Sequence, residues 1–257
     1  VSKSGRSAND ALVRGDGLEQ VGVLLRGERL LLLLARKVER LHLREHLLVR
    51  LGGVGLLGHR LERGLGRLKV GLPRRNLNLP LEVEVIDFSP AYRNTASWRA
   101  LSPTGKVPVL RAGEFTMFES GAMVQYLLDA YGDGRLQPRP GTKAAALFQQ
   151  WSWFAEATLA RPLGDIAQHS VIRPEAERIP GVVEDAKVRA LTALGAVEKG
   201  LENCTYLMGE AFSAADINMG YSLMLAERFG LLHEDLMQTR AYFSRLKDRP
   251  FYQEAIC

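Results

Sequence analysis

The 19 Phe, Trp and Tyr residues of this 257-residue chain all lie after residue 75. Aromatic side chains supply much of a globular core, so any core in the first 75 residues must be aliphatic. Those residues also lack Ile, Met, Thr and Cys, and Leu, Arg and Gly fill 45 of the 75 positions. The chain therefore joins two compositions, with the boundary between Arg75 and Asn76.

The charges divide at the same boundary. Residues 1–75 hold 16 Lys and Arg against 7 Asp and Glu, a net charge of +9, so the overall +5 leaves −4 for residues 76–257. An Arg-rich segment can bind nucleic acid, and a Leu/Arg helix can lie on a membrane. Both interactions usually use aromatic residues, for base stacking or at the membrane interface, and this segment has none. We therefore predict neither a nucleic-acid partner nor a membrane partner.

Residues 1–75 form a Leu/Arg/Gly-rich segment that does not match an ordinary domain. Apolar residues near helical spacing predict a helix over Glu28–Leu51 without a defined face. Irregular glycines predict loop over residues 52–75. The composition is typical of a GC-rich coding region translated in the wrong frame, which is the interpretation we favour. A disordered segment is the alternative.

The cysteine content bounds the chemistry and the compartment. Cys204 and Cys257 are the only cysteines, so the sequence has no disulfide framework and no zinc-ligand cluster. A reducing cytoplasm is the expected location. The longest apolar run, Leu30–Ala35, is far shorter than the roughly 20 residues of a membrane-spanning helix. We predict no metal, no membrane insertion and no secretion.

After residue 76 the periodicity becomes that of ordinary strands. Alternation in LEVEVIDF predicts a strand over Leu81–Phe88, whose buried face holds Leu81, Val83 and Val85. The segments Val107–Leu110 and Phe115–Phe118 flank a tight turn, which predicts a β-hairpin.

The remainder of the sequence predicts helices. A helix begins at Ser120 and stops at Gly132, and the Pro- and Gly-containing Gly134–Gly141 predicts a linker. Every later segment has helical periodicity. The predicted organisation is therefore the atypical segment 1–75, a partial α/β domain over 76–133 and an all-helical domain over 142–257.

Four motifs carry a resemblance to a known family. They are LSPTGKVPVL (Leu101–Leu110), FESGAMVQYL (Phe118–Leu127), YLMGEAFSAADI (Tyr206–Ile217) and RPFYQEA (Arg249–Ala255). With these motifs, residues 76–257 resemble the soluble glutathione transferase superfamily. The resemblance implies a thioredoxin-like N-terminal domain, here incomplete because its first strand and helix are not recognisable, followed by an all-α C-terminal domain.

The resemblance also implies a glutathione site. In Lys106-Val107-Pro108, the proline is a candidate cis peptide, and the backbone of Val107 would pair with the cysteinyl part of glutathione. Glu119 and Ser120 open a helix, whose first turn attracts anions. Ser120 would hold the γ-glutamyl carboxylate and Glu119 its ammonium group. The alternatives are an ordinary X-Pro turn and a Ser120 that only caps the helix.

Two further residue pairs have expected roles. Ser213 and Asp216 are spaced as a capping box, which predicts a structural role at the start of a buried helix. Trp151 and Phe154 lie on the first helix of the helical domain, which walls the pocket for the hydrophobic substrate in the resembled family. Core packing is the alternative for these aromatic residues.

The residue that would activate the glutathione thiol is missing. The family uses a Tyr or Ser hydroxyl, or a Cys, at the junction of the first strand and first helix, and residues 8–75 contain none of these. We therefore assign no catalytic residue. The resemblance implies a cytoplasmic, homodimeric detoxification enzyme that conjugates glutathione, as co-substrate and with no cofactor, to a hydrophobic electrophile. The alternative is a non-catalytic binding or structural protein.

Overall fold

The structure, a computed structural model, describes residues 47–52, 77, 79, 82–87, 89–250 and 252–253. Four strands form one sheet in the order β2-β1-β3-β4: β1 (Leu47–Gly52), β2 (Glu82–Ile86), β3 (Val109–Ala112) and β4 (Phe115–Met117). Strand β1 runs parallel to β2 and antiparallel to β3, which pairs antiparallel with β4. The two central strands are therefore β1 and β3.

Strand β1 corrects two predictions. Residues Leu47–Gly52 form a strand, whereas the sequence predicted the end of a helix over Glu28–Leu51 and showed no recognisable first strand. A strand with neighbours on both sides can be buried on both faces and then lacks alternation, so LLVRLG gave no strand signal. The rest of the predicted helix and residues 53–75 lie outside the described residues.

The predicted buried face of β2 is wrong at its end. Val85 is 52% exposed, whereas Ile86 is 5% exposed and packs in a core cluster with Trp98, Val107 and Val109. Side chains alternate along a strand, so the burial of Ile86 turns Val85 to the opposite face. The core of the sheet is thus centred on Ile86.

Two short helices and a hairpin connect the sheet to its main helix. The polar stretch after β2 forms α1 (Pro90–Arg93) and α2 (Ala96–Leu101), each begun by a capping hydroxyl, Ser89 and Thr95. The predicted β3–β4 hairpin is confirmed, with Leu110 opposite Met117. The predicted helix is also confirmed as α3 (Ser120–Tyr131), which Gly132 ends.

The helical domain predicted after the linker is confirmed. Its elements are α4 (Lys143–Trp153), a π-helical segment (Phe154–Leu159), α5 (Ala160–Ala167), a second π-helical segment (Gln168–Ile172), a 3₁₀ turn (Glu175–Glu177), α6 (Pro180–Gly200), α7 (Ala214–Arg228) and α8 (Met237–Lys247). Helix α7 forms the centre of this domain, since every residue from 214 to 226 is buried. No helix in the described part of the chain combines the length and the apolarity that crossing a bilayer requires.

A side chain from α6 caps the start of α8. Glu198 accepts hydrogen bonds from the backbone N–H groups of Gln238 (2.8 Å) and Thr239 (2.7 Å). Burial alone would raise the pKa of Glu198, but these N–H donors outweigh it and lower that pKa. The carboxylate therefore satisfies two N–H groups that the helix itself leaves unpaired.

Candidate functional site

The Val107–Pro108 peptide bond is cis, as the sequence suggested. The turn before it is fixed by Ser102, a fully buried residue whose Oγ donates to the carbonyl of Lys106 (2.8 Å) and accepts from its N–H (3.0 Å). Ser102 thereby positions the backbone that leads into Val107. Sequence reasoning missed this role, although Ser102 lies within the LSPTGKVPVL motif.

Gly105 allows the same turn to close. Its φ is +66°, a conformation that side chains rarely adopt, and a Cβ atom there would lie 3.0 Å from the Arg99 guanidinium carbon. The same Cβ would lie 3.1 Å from the carbonyl oxygen of Arg93. A glycine is therefore required for both backbone and space.

The hairpin brings the two predicted halves of the site to one end of the sheet. Leu110 pairs with Met117 in an antiparallel register. Continuing that register places Pro108 and Val107 opposite Glu119 and Ser120. Strand β1 is antiparallel to β3, with Arg50 opposite Val109, so β1 also ends here.

The start of α3 has the features of an anion site. Glu119 is the N-cap residue, has φ +73° and makes no side-chain capping bond, and Ser120 is the first helical residue, 8% exposed. The alternative that Ser120 caps the helix is therefore wrong. A non-glycine residue at positive φ stores strain, which is common at functional sites. Without a side-chain cap, the first-turn N–H groups suit a carboxylate ligand.

The end of β1 shows where the missing activating group would be sought. Strand β1 ends at Gly52, and the sequence from residue 53 to residue 88 contains no Ser, Thr, Tyr or Cys. The first hydroxyl after the strand belongs to Ser89, beyond β2. The absence of a hydroxyl or thiol after the first strand therefore holds now that the strand has been located.

A cavity of about 510 Å³ lies between α3, α4 and α7. Its polar lining consists of two carboxylates, three amides and one hydroxyl: Glu119, Glu156, Gln125, Gln149, Asn218 and Ser152. Its other lining residues are small or apolar: Gly121, Ala122, Val124, Tyr126, Phe148 and Trp153. The volume is in the range of small-molecule sites.

The π-helical segment after α4 brings Glu156 to this cavity. A Cβ atom at Gly121 would lie 3.4 Å from Oε1 of Glu156, so this carboxylate stands beside the first turn of α3. The hydroxyl of the buried Ser222 donates to the carbonyl of Ala155 (3.0 Å) within the π-helical segment. Such segments often re-aim side chains at functional sites.

Trp151 and Phe154 are not among the residues that line the cavity. Their rings contact each other at 5.5 Å, and Trp151 packs so closely on α6 that a Cβ at Gly200 would lie 2.5 Å from its ring. This position matches the core-packing alternative. Trp153, which is 67% exposed, lines the cavity instead. The pocket role of Trp151 and Phe154 remains a prediction that this packing does not support.

Ser213 and Asp216 form the predicted capping box at the start of α7. Asp216 is 1% exposed and also accepts hydrogen bonds from the Leu207 N–H (3.0 Å) and the Tyr242 hydroxyl (2.8 Å). Burial raises the pKa of Asp216, although these donors act in the opposite direction. The arrangement joins three segments of the helical domain and is structural.

Metal ligands were sought across the part of the chain that the structure describes. It contains no group of three or more His, Cys, Asp or Glu side chains placed to hold a metal ion. Cys204 is a free, half-buried thiol. The polar groups at the end of the sheet are therefore those available for a ligand.

Comparisons with known proteins match both domains. The family model "Glutathione S-transferase, N-terminal domain" matches residues 69–138, and "Glutathione S-transferase, C-terminal domain" matches residues 163–250. Glutathione S-transferase 4 of Zea mays is 32% identical over 161 residues, which cover 59% of this chain and 69% of that protein. Glutathione S-transferase A of Pleuronectes platessa is 28% identical over 188 residues, covering 72% of this chain and 82% of that protein.

The similarity to solved structures extends beyond the expected boundary. A theta class glutathione S-transferase from Xanthomonas axonopodis pv. citri, solved with glutathione bound, has a TM-score of 0.65 and 26% identity. The match covers 81% of this chain and 96% of that one. This share is about 208 of 257 residues, more than the 182 of residues 76–257, so part of the preceding segment belongs to the shared fold.

Proposed function

The chain belongs to the glutathione S-transferase superfamily, and from this we propose that it binds reduced glutathione and joins its sulfur to a hydrophobic electrophile. The observation that carries the proposal is the shared position of the cis Val107–Pro108 turn and the Glu119–Ser120 helix start at one end of the sheet. One half suits a peptide backbone and the other suits an amino acid terminus.

The proposed binding mode assigns each half of the site to one part of glutathione. The backbone of Val107 pairs with the cysteinyl residue, as an added strand would. The γ-glutamyl carboxylate accepts hydrogen bonds from the first turn of α3 and from the Ser120 hydroxyl, while the Glu119 carboxylate faces the ammonium group. Lys106 precedes the cis bond and is exposed, and we assign only its backbone to the site.

The proposed reaction is nucleophilic substitution by sulfur. The thiol gives up its proton, the thiolate electron pair forms the carbon–sulfur bond, and the leaving group departs with the electron pair of the broken bond. Free thiols have a pKa of about 8.5, so the thiolate is scarce at neutral pH unless the protein favours it. We assign no side chain to this step, because residues 53–88 hold no hydroxyl or thiol.

The same absence favours a second candidate function. A chain that binds glutathione without activating its thiol would be a non-catalytic binding or structural protein. Isothermal titration with S-methylglutathione measures binding, and conjugation of glutathione to an activated aryl halide against pH measures chemistry. Binding with conjugation near neutral pH supports the transferase; binding without it supports the alternative. An absence of binding overturns both.

The assigned binding residues have a direct test. The Glu119→Gln/Ser120→Ala double variant is expected to lose retention on immobilised glutathione. A matched control is Glu114→Gln/Ser97→Ala, which makes the same chemical changes at exposed positions away from the site. Equal retention of the two double variants would contradict the assignment.

We also propose a homodimer that meets along β4, in a reducing cytoplasm and with a role in detoxification. Strand β4 is an edge strand, and beside it Phe115 is 47% exposed and Phe118 is 40% exposed. The Phe115 ring contacts Tyr126 of α3 at 5.2 Å, which forms an apolar patch. Light scattering should show a dimer that Phe115→Glu converts to a monomer. An unchanged mass in that variant would exclude this interface.

A further inference from the structure

The cavity between α3, α4 and α7 adjoins one end of the proposed glutathione site. Glu119 lines it, whereas Val107, Pro108 and Ser120 are not among its described lining residues. In the proposed binding mode Glu119 faces the γ-glutamyl ammonium group and Val107 faces the cysteinyl residue. The cavity therefore adjoins the γ-glutamyl end of glutathione and not its thiol, so it is poorly placed to hold the electrophile.

One polar group in this cavity lacks a partner within the described part of the chain. Asn218 is 3% exposed, and its Oδ1 atom has no hydrogen bond there. An unsatisfied buried polar atom costs about 1–3 kcal/mol, which a ligand with hydrogen-bond donors would relieve. The Gln149 amide, in contrast, donates to Oε1 of Gln125 at 3.0 Å. Asn218 is thus a polar group available at the inner end of the cavity.

The charge of the lining selects against anions. Glu119 and Glu156 contribute carboxylates, and the described lining residues include no Lys, Arg or His. A ligand carboxylate or phosphate would meet like charge in a partly desolvated space. An ammonium group would meet opposite charge at Glu119.

The walls select for an apolar body. Phe148 and Val124 are buried at 3% and 2% exposure, and the Trp153 ring is 67% exposed at the side of the cavity. Aromatic faces also attract cations, with contributions of about 0.5–2 kcal/mol. An aromatic or aliphatic group joined to an ammonium group would use both parts of the lining.

We propose that this cavity is a binding site for hydrophobic primary amines, with the ammonium group at Glu119 and the apolar body beside Trp153 and Phe148. An amine held there shares Glu119 with the γ-glutamyl ammonium group and therefore competes with glutathione. The amine site rests on the cavity alone, and only the competition rests on the proposed function. Hydrophobic amines are thus inhibitors of the proposed transferase.

Three probes with one body and different head groups test the site: phenylbutylamine, phenylbutanol and phenylbutyrate. Isothermal titration into the full-length protein is expected to give the amine an affinity at least about tenfold above that of the alcohol, and the acid no binding. Equal affinity for the three probes, or no binding of the amine, overturns the proposal.

Variants separate this site from its neighbours. Trp153→Ala is expected to weaken amine binding at least about fivefold and to leave retention on immobilised glutathione unchanged, because Trp153 has no part in the glutathione site. Leu147→Ala, an exposed apolar residue of the same helix outside the cavity lining, is the matched control and should bind the amine normally. Normal amine binding by Trp153→Ala contradicts the proposal.

The competition has a separate readout. Phenylbutylamine should release the protein from immobilised glutathione, and phenylbutyrate should not. Release by neither probe overturns the competition. If the protein is not retained on glutathione at all, the proposed function fails, while the titrations with the three probes still decide the amine site.

Discussion

Replacing Asp216 by alanine is expected to lower the free energy of unfolding by about 2–4 kcal/mol. Asp216 accepts hydrogen bonds from the backbone N–H groups of Leu207 (3.0 Å) and Ser213 (2.7 Å) and from the hydroxyls of Ser213 (2.9 Å) and Tyr242 (2.8 Å). The hydroxyls can turn to other acceptors, but the two N–H groups cannot. Each buried donor left unpaired costs about 1–3 kcal/mol, and relief from burying the carboxylate offsets part of their sum.

Urea denaturation followed by far-UV circular dichroism measures this loss, provided that the dependence on urea keeps its slope. The control is Asp185→Ala, which removes an exposed carboxylate paired with Arg189 on α6 and should unfold at the wild-type midpoint. A loss below about 1 kcal/mol for Asp216→Ala, or equal losses for the two variants, would refute the reasoning.

The pH dependence of this loss has a defined sign. Burial raises the pKa of Asp216 above its unfolded value, so the folded state binds the proton more tightly. The stability that Asp216 contributes is therefore fully present below its unfolded pKa and decreases as the pH rises through the folded pKa. The deficit of Asp216→Ala should accordingly be larger at acidic pH than at neutral pH. A deficit that grows with pH would contradict the assigned direction.

Three further changes have expected outcomes. Gly200→Ala should lower the unfolding midpoint in urea, because its Cβ would lie 2.5 Å from the Trp151 ring; a midpoint at or above wild type would exclude this contact. Glu198→Gln should destabilise the protein by about 1 kcal/mol near neutral pH, and because the pKa of Glu198 is lowered, urea titrations should show that difference disappear as the pH falls through its folded pKa. Burial raises the pKa of Tyr252, so the stability that Tyr252 contributes decreases above about pH 10; Tyr252→Phe should reduce that alkaline loss, and an unchanged slope would contradict it.

Local signals predicted the parts of the site that depend on adjacent residues. The start of α3 follows from the FESG motif, the cis bond from Lys106-Val107-Pro108, and the capping box from the spacing of Ser213 and Asp216. Each of these features is decided by fewer than five neighbouring residues. Such features are readable without knowledge of the tertiary structure.

Features set by tertiary contacts were not predicted. Strand β1 has no alternation because it lies between two strands, and Glu198 caps a helix that begins 39 residues later. The cavity depends on a π-helical segment that brings Glu156 beside Gly121, which a regular helical period does not anticipate. In each case the partner is distant in sequence, so no local pattern records it.

The central position of β1 has a consequence during synthesis on the ribosome. Val49 pairs with Leu110, which is made 61 residues later. At about 5–20 residues per second, β1 waits roughly 3–12 s for this neighbour, and its backbone groups cannot pair across the sheet before then. The helices that follow need only local contacts to begin folding. The nascent chain therefore carries an unpaired central strand through much of its elongation, which makes β1 the segment most dependent on protection by the ribosome and its associated chaperones.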